Sequence, residues 1–458
     1  MNIKDKNILV LGLGISGVST AKALNKLGAN IIINDSKDEK ELRRYIDELK
    51  NINIQYLLGT NDINLNNIDL IIKSPGIKNS VPIIKKAIKN DIEVITDIEL
   101  GYRLFSNKFV AITGTNGKTT TTTLVGKVFK EDGKVTHVSG NIGVGILWEL
   151  VNSNEEDYFI IETSSFQLEN TVEFKPDVSV IINIKPDHID WHGNYENYIN
   201  AKAKIFKNQD ERDYIVLNYD DADVRKLENK IKANIIWFSQ NNKLEKGIFI
   251  DCNHIVYSDG VKSINIIGLK DIKIPGKHNI ENIMATIGIS LVMNLDINNL
   301  RKSITSFYGV EHRLEFVEEI GFVRYYNDSK GSNPAASIQA IKALEAPIVL
   351  IAGGYDKNSD YQEFVNSFNG KVSSLILLGE TKYKIAQLAK EQGFENIYMV
   401  NDMEEAVNKA YTIATFGGNV LLSPASASWD MYDNYEIRGN DFKNLVKHIR
   451  RIHNAKKG

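Results

Sequence analysis

A glycine- and hydroxyl-rich segment at residues 113–120, with the sequence TGTNGKTT, has the residue types that bind nucleotide phosphates. Backbone N–H groups of such a loop surround phosphate oxygens, the lysine reaches the β- and γ-phosphates, and the next hydroxyl can hold Mg²⁺. The full G-x-x-x-x-G-K-[ST] pattern is not met, because Ile112 stands where its first glycine belongs. The segment predicts an ATP site made by Gly114, Thr115, Asn116, Gly117, Lys118, Thr119 and Thr120.

A second glycine turn, G-x-G-x-x-G at residues 12–17, follows an apolar run near the start of the chain. Glycines let the backbone approach a diphosphate, and an acid about 20 residues further on can bind a ribose or a base edge. Taken alone, the turn indicates a dinucleotide fold without deciding between NAD and another nucleotide diphosphate, and glycines that serve only packing remain an alternative. The candidate ligand-binding residues are Gly14, Ile15, Ser16 and Asp35.

The elements that must position these turns are strands and helices in alternation. Apolar runs alternate with amphipathic stretches, which predicts an α/β chain with parallel sheets. Turns follow apolar runs again at residues 348–357 and 419–428, and ligands of such sheets lie beyond the carboxyl ends of the strands. At about 150 residues per domain, 458 residues predict three domains. We expect an N-terminal Rossmann-like domain at 1–107, a central P-loop ATP-binding α/β domain at 108–311 and a C-terminal Rossmann-like domain at 312–458.

Bulk properties narrow the class of protein. The net charge of −3 offers no global reason to expect nucleic acid or an anionic membrane as a partner. The one cysteine, Cys252, excludes an intrachain disulfide and favours a reducing compartment. The opening residues lack a signal-peptide cleavage site, and no stretch approaches the roughly 18 apolar residues of a membrane span. We therefore expect a cytoplasmic protein without membrane insertion. We also expect a monomer.

Several short motifs, in order along almost the whole chain, resemble those of the Mur ligase family. The segment TGTNGKTT looks like the phosphate loop that Mur ligases share with folylpolyglutamate synthases. The other matching motifs are KSPGI at 73–77, GNIG at 140–143, ETSSFQL at 162–168, DHID at 187–190, HNIEN at 278–282, EHR at 311–313, NDSKGSN at 327–333 and SPASAS at 423–428. Their number and order carry the resemblance, since no single motif decides it.

The resemblance implies an ATP-dependent amide-bond ligase. In that reaction ATP phosphorylates the terminal carboxylate of an acceptor, and an amine then attacks the acyl phosphate. The segment at 162–168 resembles the D-glutamate-adding branch of the family, which implies UDP-N-acetylmuramoyl-L-alanine and D-glutamate as substrates, in peptidoglycan precursor synthesis. Such a site must bring a triphosphate and a carboxylate together, and Mg²⁺ ions with cationic side chains are the ordinary means.

The resemblance also implies roles for individual residues. The implied catalytic set is Lys118, Glu162, His188, Lys202 and Lys330. Two Mg²⁺ ions are implied, one held by Thr119 and Glu162 and the other by His188 and Lys202, the latter carbamylated by CO₂. Further ATP contacts are implied for Asn279, Asn282, Arg313 and Asp328. Contacts to the UDP-linked substrate are implied for Ser74, Gly76, Asn141 and His188, beside the first glycine turn, and contacts to D-glutamate for Ser332, Lys357, Ser428 and Tyr435.

The sequence departs from the family pattern in the third domain, where Gly331-Ser332 stands for Ala-Thr, Ser426 for Cys and Tyr435 for Phe. Ser332 keeps a hydroxyl, whereas Tyr435 adds one, so the details of the glutamate pocket stay open.

Four alternative functions account for fewer of these sequence features. In folylpolyglutamate synthases the phosphate loop lies near the chain start, but here residues 1–112, with their own glycine turn, precede it. A diaminopimelate-adding ligase would carry a D-N-P-R-type motif, which the sequence lacks. An NAD-dependent dehydrogenase would leave TGTNGKTT without a role. A nucleotide-gated binding module would not need Glu162, His188 and Lys202 near the γ-phosphate.

Overall fold

The structure is a computed structural model that describes residues 1–140 and 145–455. By contact density the chain divides into two units, Met1–Ile272 with His278–Ser306, and Lys273–Lys277 with Phe307–Gly458. The described part of the first unit holds two β-sheets and that of the second unit holds one.

The first sheet has strand order β3-β2-β1-β4-β5, and every neighbouring pair is parallel. Its strands are β1 Asn7–Leu11, β2 Asn30–Asp35, β3 Ile54–Leu58, β4 Leu70–Lys73 and β5 Glu93–Ile95, and its helices are α1 Ile15–Lys26, α2 Glu39–Asp47, α3 Pro82–Lys89 and α4 Asp97–Leu104. The order reverses between β1 and β4, so the turns that follow these two strands border a crevice at their carboxyl ends. Ligands of open α/β sheets bind in such a crevice.

The second sheet has strand order β14-β13-β12-β11-β10-β9-β6-β8-β7 within the described residues. Its strands are β6 Lys108–Thr113, β7 Thr136–Gly140, β8 Tyr158–Glu162, β9 Val178–Ile181, β10 Tyr214–Asn218, β11 Asn234–Ser239, β12 Lys246–Asp251, β13 His254–Asp259 and β14 Ser263–Gly268. Its helices are α5 Lys118–Glu131, α6 Ile146–Val151, α7 Ser165–Leu168, α8 Ile189–His192, α9 Tyr195–Ala203, α10 Ala222–Arg225, α11 Lys277–Val292 and α12 Ile297–Thr305. The strands from β7 to β12 are parallel, and β13 and β14 extend the sheet as antiparallel hairpins.

The third sheet belongs to the second unit and has strand order β15-β16-β20-β17-β18-β19. Its strands are β15 Glu315–Ile320, β16 Val323–Asn327, β17 Ile348–Ala352, β18 Val372–Leu377, β19 Ile397–Met399 and β20 Asn419–Leu422. Its helices are α13 Pro334–Ala343, α14 Gln362–Asn366, α15 Lys382–Glu391, α16 Met403–Ile413 and α17 Tyr435–Ala455. Only β15 pairs antiparallel, and the other pairs are parallel.

Central strands are apolar along their length because helices cover both faces of a parallel sheet. In β6 every residue after Lys108 is buried, and in β17 all five residues are buried. The strand β6 ends at Thr113, the first residue of the segment TGTNGKTT. None of the helices in the described ranges is long and apolar enough to cross a lipid bilayer.

The predicted α/β class with mainly parallel sheets is confirmed by this topology. The domain limits at 107 and 311 stay a prediction.

Candidate active site

The segment TGTNGKTT forms a strand–loop–helix unit, in which β6 runs into the loop and α5 begins at Lys118. Gly117 caps the helix with φ of +84°, a left-handed conformation that glycine adopts without strain. A Cβ atom at Gly117 would lie 2.1 Å from Asn282 Oδ1, so a larger residue has no room there. The loop therefore exposes backbone N–H groups at a helix N-terminus, which favours an anion.

Side chains and carbonyls from later segments fix the loop backbone. The Thr115 N–H donates to the carbonyl oxygen of Asn183 at 3.0 Å, and the Asn116 N–H donates to Asn183 Oδ1 at 2.9 Å. The Thr115 hydroxyl also donates to the carbonyl oxygen of Lys185 and lies 3.0 Å from the hydroxyl of Tyr198. The loop is thus held in one shape by residues 67 to 83 positions further along the chain.

Three predicted nucleotide or metal residues lie at this loop. Lys118 Nζ donates to the carbonyl oxygens of Gly114 and Thr115, at 2.9 Å each, which keeps the ammonium charge at the loop. Thr119 is buried in the first turn of α5. Glu162 ends β8 and is paired in register with Ile112 of β6, so its buried carboxylate lies at the strand edge from which the loop starts.

Lys202, on α9, reaches the same loop from another direction. The helix begins after Asn194, whose side chain accepts from the Asn197 N–H, and its last turn contains Lys202, which is buried. Lys202 is only 1% exposed, and its Nζ donates to the carbonyl oxygen of Gly114 at 2.7 Å. Burial, and then the neighbouring ammonium of Lys118, hold the pKa of Lys202 well below its usual value, although Asp187 and Glu162 act in the opposite direction.

His188 precedes α8 and has φ of +51°. Its ring lies 4.8 Å from the ring of Phe166 and 6.5 Å from that of Tyr198, centroid to centroid. Tyr198 in turn has Lys202 Nζ 4.7 Å from its ring centroid. His188, half-exposed, and Lys202, buried, therefore border the same tyrosine.

Two of the predicted ATP contacts, Asn279 and Asn282, are on α11 and both are buried. Asn282 Nδ2 donates to Asn279 Oδ1 at 3.0 Å, and Asn282 Oδ1 accepts from the Thr121 hydroxyl at 3.3 Å. Thr121 is in α5, directly after the phosphate-loop residues. The structure therefore places Asn282 against the phosphate loop, which makes it a support of that loop, with Asn279 one turn away.

The first glycine turn borders a cavity of about 550 Å³ at the carboxyl ends of β1 and β4. Four of the predicted residues for the UDP-linked substrate line it, namely Gly14, Asp35, Ser74 and Gly76. Asp35 is fixed by accepting the backbone N–H of Leu13 at 2.8 Å, and the Ser74 hydroxyl donates to the carbonyl oxygen of Gly12 at 3.2 Å. The predicted crevice and the two turns thus form one site in the structure.

Three other residues predicted for that substrate, Ile15, Ser16 and His188, do not line this cavity. Ile15 is exposed, and neither it nor Ser16 belongs to the lining of this cavity among the described residues. The Ser16 hydroxyl donates to the buried carboxylate of Asp97 at 3.2 Å, and burial raises the pKa of Asp97. Asn141 lies outside the described residues.

The sequence interpretation missed some residues that support this unit. Lys78 lines the cavity and its Nζ donates to the carbonyl oxygen of Asp190 at 2.9 Å, two residues beyond His188. Its position directly after the KSPGI motif was a usable signal. His192 is buried with its Nε2 3.0 Å from the Ser165 hydroxyl, and burial lowers its pKa to about 4. No pattern in the sequence marks His192 as a partner of the segment at 162–168.

The second unit brings three turns together. The strands β16, β20 and β17 are parallel neighbours, so the turns after them lie side by side at one edge of the sheet. These turns carry Asp328, Lys330 and Ser332 after β16, Ser428 after β20, and Lys357 after β17. The predicted third-domain residues are therefore gathered from distant parts of the sequence.

Asp328 is buried and tightly held. Its Oδ2 accepts from the Ser423 hydroxyl at 2.6 Å and its Oδ1 accepts the N–H of Leu314 at 3.1 Å. Burial raises the pKa of Asp328 to about 7, against the opposing effect of these hydrogen bonds and of the charges of Arg313 and Arg438. The predicted nucleotide residues Arg313 and Asp328 are thus close enough to interact through charge.

Lys330 and Tyr435 are neighbours, with Lys330 Nζ 5.6 Å from the centroid of the Tyr435 ring. Burial raises the pKa of the Tyr435 hydroxyl to about 12, so it is a neutral donor at physiological pH. Ser332 follows two residues after Lys330 and is half-buried. Its N–H donates to the carbonyl oxygen of Lys330 at 2.8 Å, which tightens the turn.

Arg438 of α17 joins two of these turns and was not predicted. Its guanidinium is buried and donates to the carbonyl and hydroxyl oxygens of Ser329 in the turn after β16. It also donates to the carbonyl oxygens of Ser426 and Ala427 in the turn after β20, at 3.2 and 3.1 Å. One side chain therefore sets the spacing between Lys330 and Ser428. A single arginine in an amphipathic helix gave no signal of this role.

The chain matches three family models in succession. They are the Mur ligase MurD-like N-terminal domain at residues 6–96, the Mur ligase middle domain at 112–290 and the Mur ligase glutamate ligase domain at 312–426. The matched domains follow one another in the predicted order.

Whole-length relatives agree with these models. The chain is 47% identical, over 98% of its own length and 100% of the relative's, to UDP-N-acetylmuramoylalanine–D-glutamate ligase of Alkaliphilus oremlandii (strain OhILAs). It is 46% identical, with the same coverage, to the ligase of that name in Clostridioides difficile (strain 630). The crystal structure of UDP-N-acetylmuramate–alanine ligase MurC from Thermotoga maritima has the same fold, with a TM-score of 0.56, 20% identity and coverage of 97% and 99% of the two chains. The chain therefore belongs to the Mur ligase family of ATP-dependent ligases.

Proposed function

We propose that this protein joins D-glutamate to UDP-N-acetylmuramoyl-L-alanine, with ATP converted to ADP and phosphate, in cytoplasmic peptidoglycan precursor synthesis. The observation that carries the proposal is the 47% identity, over the whole chain, to a ligase that is named for this reaction. ATP supplies the phosphoryl group that activates the alanine carboxylate as an acyl phosphate. The amine of D-glutamate then attacks that carbonyl carbon, and an amide bond replaces the bond to phosphate. We propose a monomer.

The phosphate loop residues would bind and orient the triphosphate. The N–H groups from Gly114 to Thr120 lie in the loop before α5 and in its first turn, where the helix dipole favours negative charge. Lys118 adds an ammonium at the same place, bound to the loop carbonyls. The left-handed Gly117 and the buried Asn282 keep the loop in this shape. Because the donors are fixed in advance, they can stabilise charge on the transferring phosphoryl group without reorganising.

We propose that two Mg²⁺ ions bind at this loop. Mg²⁺ keeps several waters and is usually bound through one or two carboxylates together with substrate phosphates. The described residues contain no cluster of three or more His, Cys, Asp or Glu side chains that could hold a metal on its own. A mixed set meets the requirement of Mg²⁺, with Thr119 and Glu162 proposed for one ion and His188 and modified Lys202 for the other. The Mg²⁺ ions would neutralise the phosphates and the acceptor carboxylate as they approach.

A carbamate on Lys202 is supported by the setting of that side chain. Only a neutral amine reacts with CO₂, and burial beside Lys118 lowers the pKa of Lys202. The product is an oxygen ligand on a long stem, which suits a hard ion such as Mg²⁺. Lys204 has no such setting, because it is half-buried and pairs with Glu169. We therefore propose carbamylation of Lys202 and an unmodified Lys204.

The remaining substrates are assigned to the two other groups of residues. The diphosphate and uridine would occupy the cavity lined by Gly14, Asp35, Ser74 and Gly76, where a helix N-terminus and backbone N–H groups suit a diphosphate. D-glutamate has two carboxylates and one amine, so its pocket needs donors and positive charge. The three adjacent turns of the second unit supply them through Lys330, Ser332, Lys357, Ser428 and Tyr435.

One assay tests the proposal against its alternatives. Purified protein is supplied with Mg-ATP, UDP-N-acetylmuramoyl-L-alanine and one amino acid at a time, and phosphate release is followed. We expect release to require both the UDP-linked substrate and D-glutamate, with L-glutamate a poor substitute. Equal rates with L-lysine or diaminopimelate would refute the amino-acid assignment while leaving the family intact. Release without any acceptor would favour a nucleotide-gated module.

A further inference from the structure

A large aromatic side chain stands exposed beside the proposed amino-acid pocket. Trp429 directly follows Ser428 in the turn after β20, and 60% of its surface is accessible to solvent. The ammonium of Lys357 lies 4.4 Å from the centroid of its ring. Trp429 therefore offers its face to one of the cations that we assign to D-glutamate, and it contributes little to the core.

The backbone holds this pair together. Tyr355 and Ala427 form an isolated antiparallel bridge, in which the Tyr355 N–H donates to the carbonyl oxygen of Ala427 at 3.0 Å. Tyr355 lies two residues before Lys357, and Ala427 lies two residues before Trp429. The Tyr355 ring also packs on Trp429, with ring centroids 5.7 Å apart. The backbone of the two turns thus brings Lys357 and Trp429 together without a bound ligand.

Acidic neighbours do not compete with the ring for Lys357. Asp356 accepts the Asn358 N–H at 2.8 Å and pairs with Lys384 at 3.4 Å. Asp430, next to Trp429, accepts the N–H of Glu380 at 3.0 Å. None of the ion pairs found among the described residues involves Lys357. The ring is therefore the partner that orients this ammonium.

An aromatic face restrains a cation without cancelling its charge. A carboxylate partner would neutralise Lys357 and would have to be displaced by a substrate carboxylate. A ring attracts the ammonium through its quadrupole and leaves the N–H donors available. Lysine has a flexible four-carbon stem, so restraining it before binding reduces the entropy that a ligand must offset.

We propose that Trp429 is a positioning residue that acts through Lys357 and thereby sets the affinity for D-glutamate. The ring holds the Lys357 ammonium at the mouth of the pocket, where it meets a carboxylate of the incoming amino acid. This inference rests on the proposed function, because it needs D-glutamate as the substrate. Trp429 does not touch the reacting atoms, so the rate of the chemical step is independent of it.

The first experiment replaces the ring by an aliphatic side chain. Trp429→Leu raises KM for D-glutamate about two- to fivefold, the strength of an exposed cation–π contact. It leaves kcat and the KM values for ATP and the UDP-linked substrate unchanged. Trp429→Phe, which keeps a π face, stays within about twofold of the wild type. Phe416→Leu is the matched control, since Phe416 is an exposed aromatic of the same unit (77%) that packs on Phe322, and it changes no constant.

The second experiment asks whether the effect passes through Lys357. In the Lys357→Ala background, Trp429→Leu adds no further rise in KM, because its target is absent. If Trp429→Leu raises KM equally in that background, its role is merely structural and the inference is wrong. A wild-type KM in the single variant Trp429→Leu would also overturn the inference. If Trp429→Leu fails to fold, Trp429→Met carries the same expectation, because it keeps bulk without a ring. A wild-type protein that does not use D-glutamate refutes the proposed function, whereas an unaltered KM in an active variant refutes only the role of Trp429.

Discussion

The replacement of Lys202 by arginine tests the least obvious feature of the site. Lysine and arginine both carry a positive charge, but the guanidinium is not deprotonated in proteins and cannot form a carbamate. The side chain of Lys202 is 99% removed from solvent, and its Nζ is 2.7 Å from the carbonyl oxygen of Gly114 in the phosphate loop. If Lys202 acts as a cation, Lys202→Arg retains activity. If Lys202 supplies an anionic oxygen to Mg²⁺, Lys202→Arg loses activity.

The expected loss of activity follows from the availability of the neutral amine and from the cost of losing a metal ligand. A lysine with the usual pKa of about 10.4 is neutral in about one molecule in a thousand at pH 7.4, and each unit by which the pKa falls raises that fraction tenfold. Burial and the charge of Lys118 lower the pKa of Lys202, so the amine is available to CO₂ in a larger fraction of molecules. Loss of groups around a bound metal typically costs 10–100-fold in activity. Lys202→Arg and Lys202→Ala should therefore both lose at least about that much.

The assay is phosphate release under saturating substrates, with Lys204→Ala as the matched control. Lys204 is two residues away, half-buried and paired with Glu169, and an ion pair of that kind contributes at most about 1 kcal/mol. Lys204→Ala should be nearly silent. Wild-type protein stripped of CO₂ should lose activity and regain it with bicarbonate, and ¹³C-labelled bicarbonate should give a carbamate signal that Lys202→Ala lacks.

Two results would refute the reasoning. A fully active Lys202→Arg enzyme would show that no anionic oxygen is needed at this position. Activity that persists without CO₂, together with an absent ¹³C carbamate signal in the wild type, would show that Lys202 acts unmodified. In that case the low pKa of the buried amine would have another use.

Three further predictions concern other residues. Lys118→Ala should abolish turnover yet preserve binding of the UDP-linked substrate in calorimetry, since Lys118 does not line the cavity at β1 and β4. A folded variant that loses both turnover and binding of the UDP-linked substrate would contradict this. Gly117→Ala should weaken ATP binding by more than tenfold, because a Cβ would meet Asn282 at 2.1 Å, whereas Gly133→Ala, with a similar φ of +75° and open space, should not affect ATP. Burial raises the pKa of Asp328 to about 7, so between about pH 4 and pH 7 the folded state holds more protons than the unfolded state and stability falls as pH rises. Asp328→Asn removes this loss of stability, so its thermal midpoint should fall less than that of the wild type over that pH range. Parallel curves of midpoint against pH for the two proteins would contradict the prediction.

Local features of this protein could be predicted from its sequence. The strand, loop and helix at residues 108–131 depend on neighbours in the chain, because glycines, a lysine and hydroxyls at fixed spacing act within one turn. The same holds for the first glycine turn and for the alternation of strands and helices, whose apolar pattern reflects burial on both faces of a parallel sheet. Asp35 was found because it ends the strand that pairs with β1, a relation that the dinucleotide fold imposes.

Tertiary structure decided which distant residues meet. Lys202 contacts the Gly114 carbonyl from 88 positions away, and only the packing of α9 against the loop removes it from water and lowers its pKa. Lys357 and Trp429 are 72 positions apart and become partners because β17 and β20 are neighbours in the sheet. Arg438 bonds to two turns at once for the same reason. Burial and contact between distant segments are properties of the folded chain. They cannot be inferred from residue types and spacing alone, because they depend on which strands pair in the sheet.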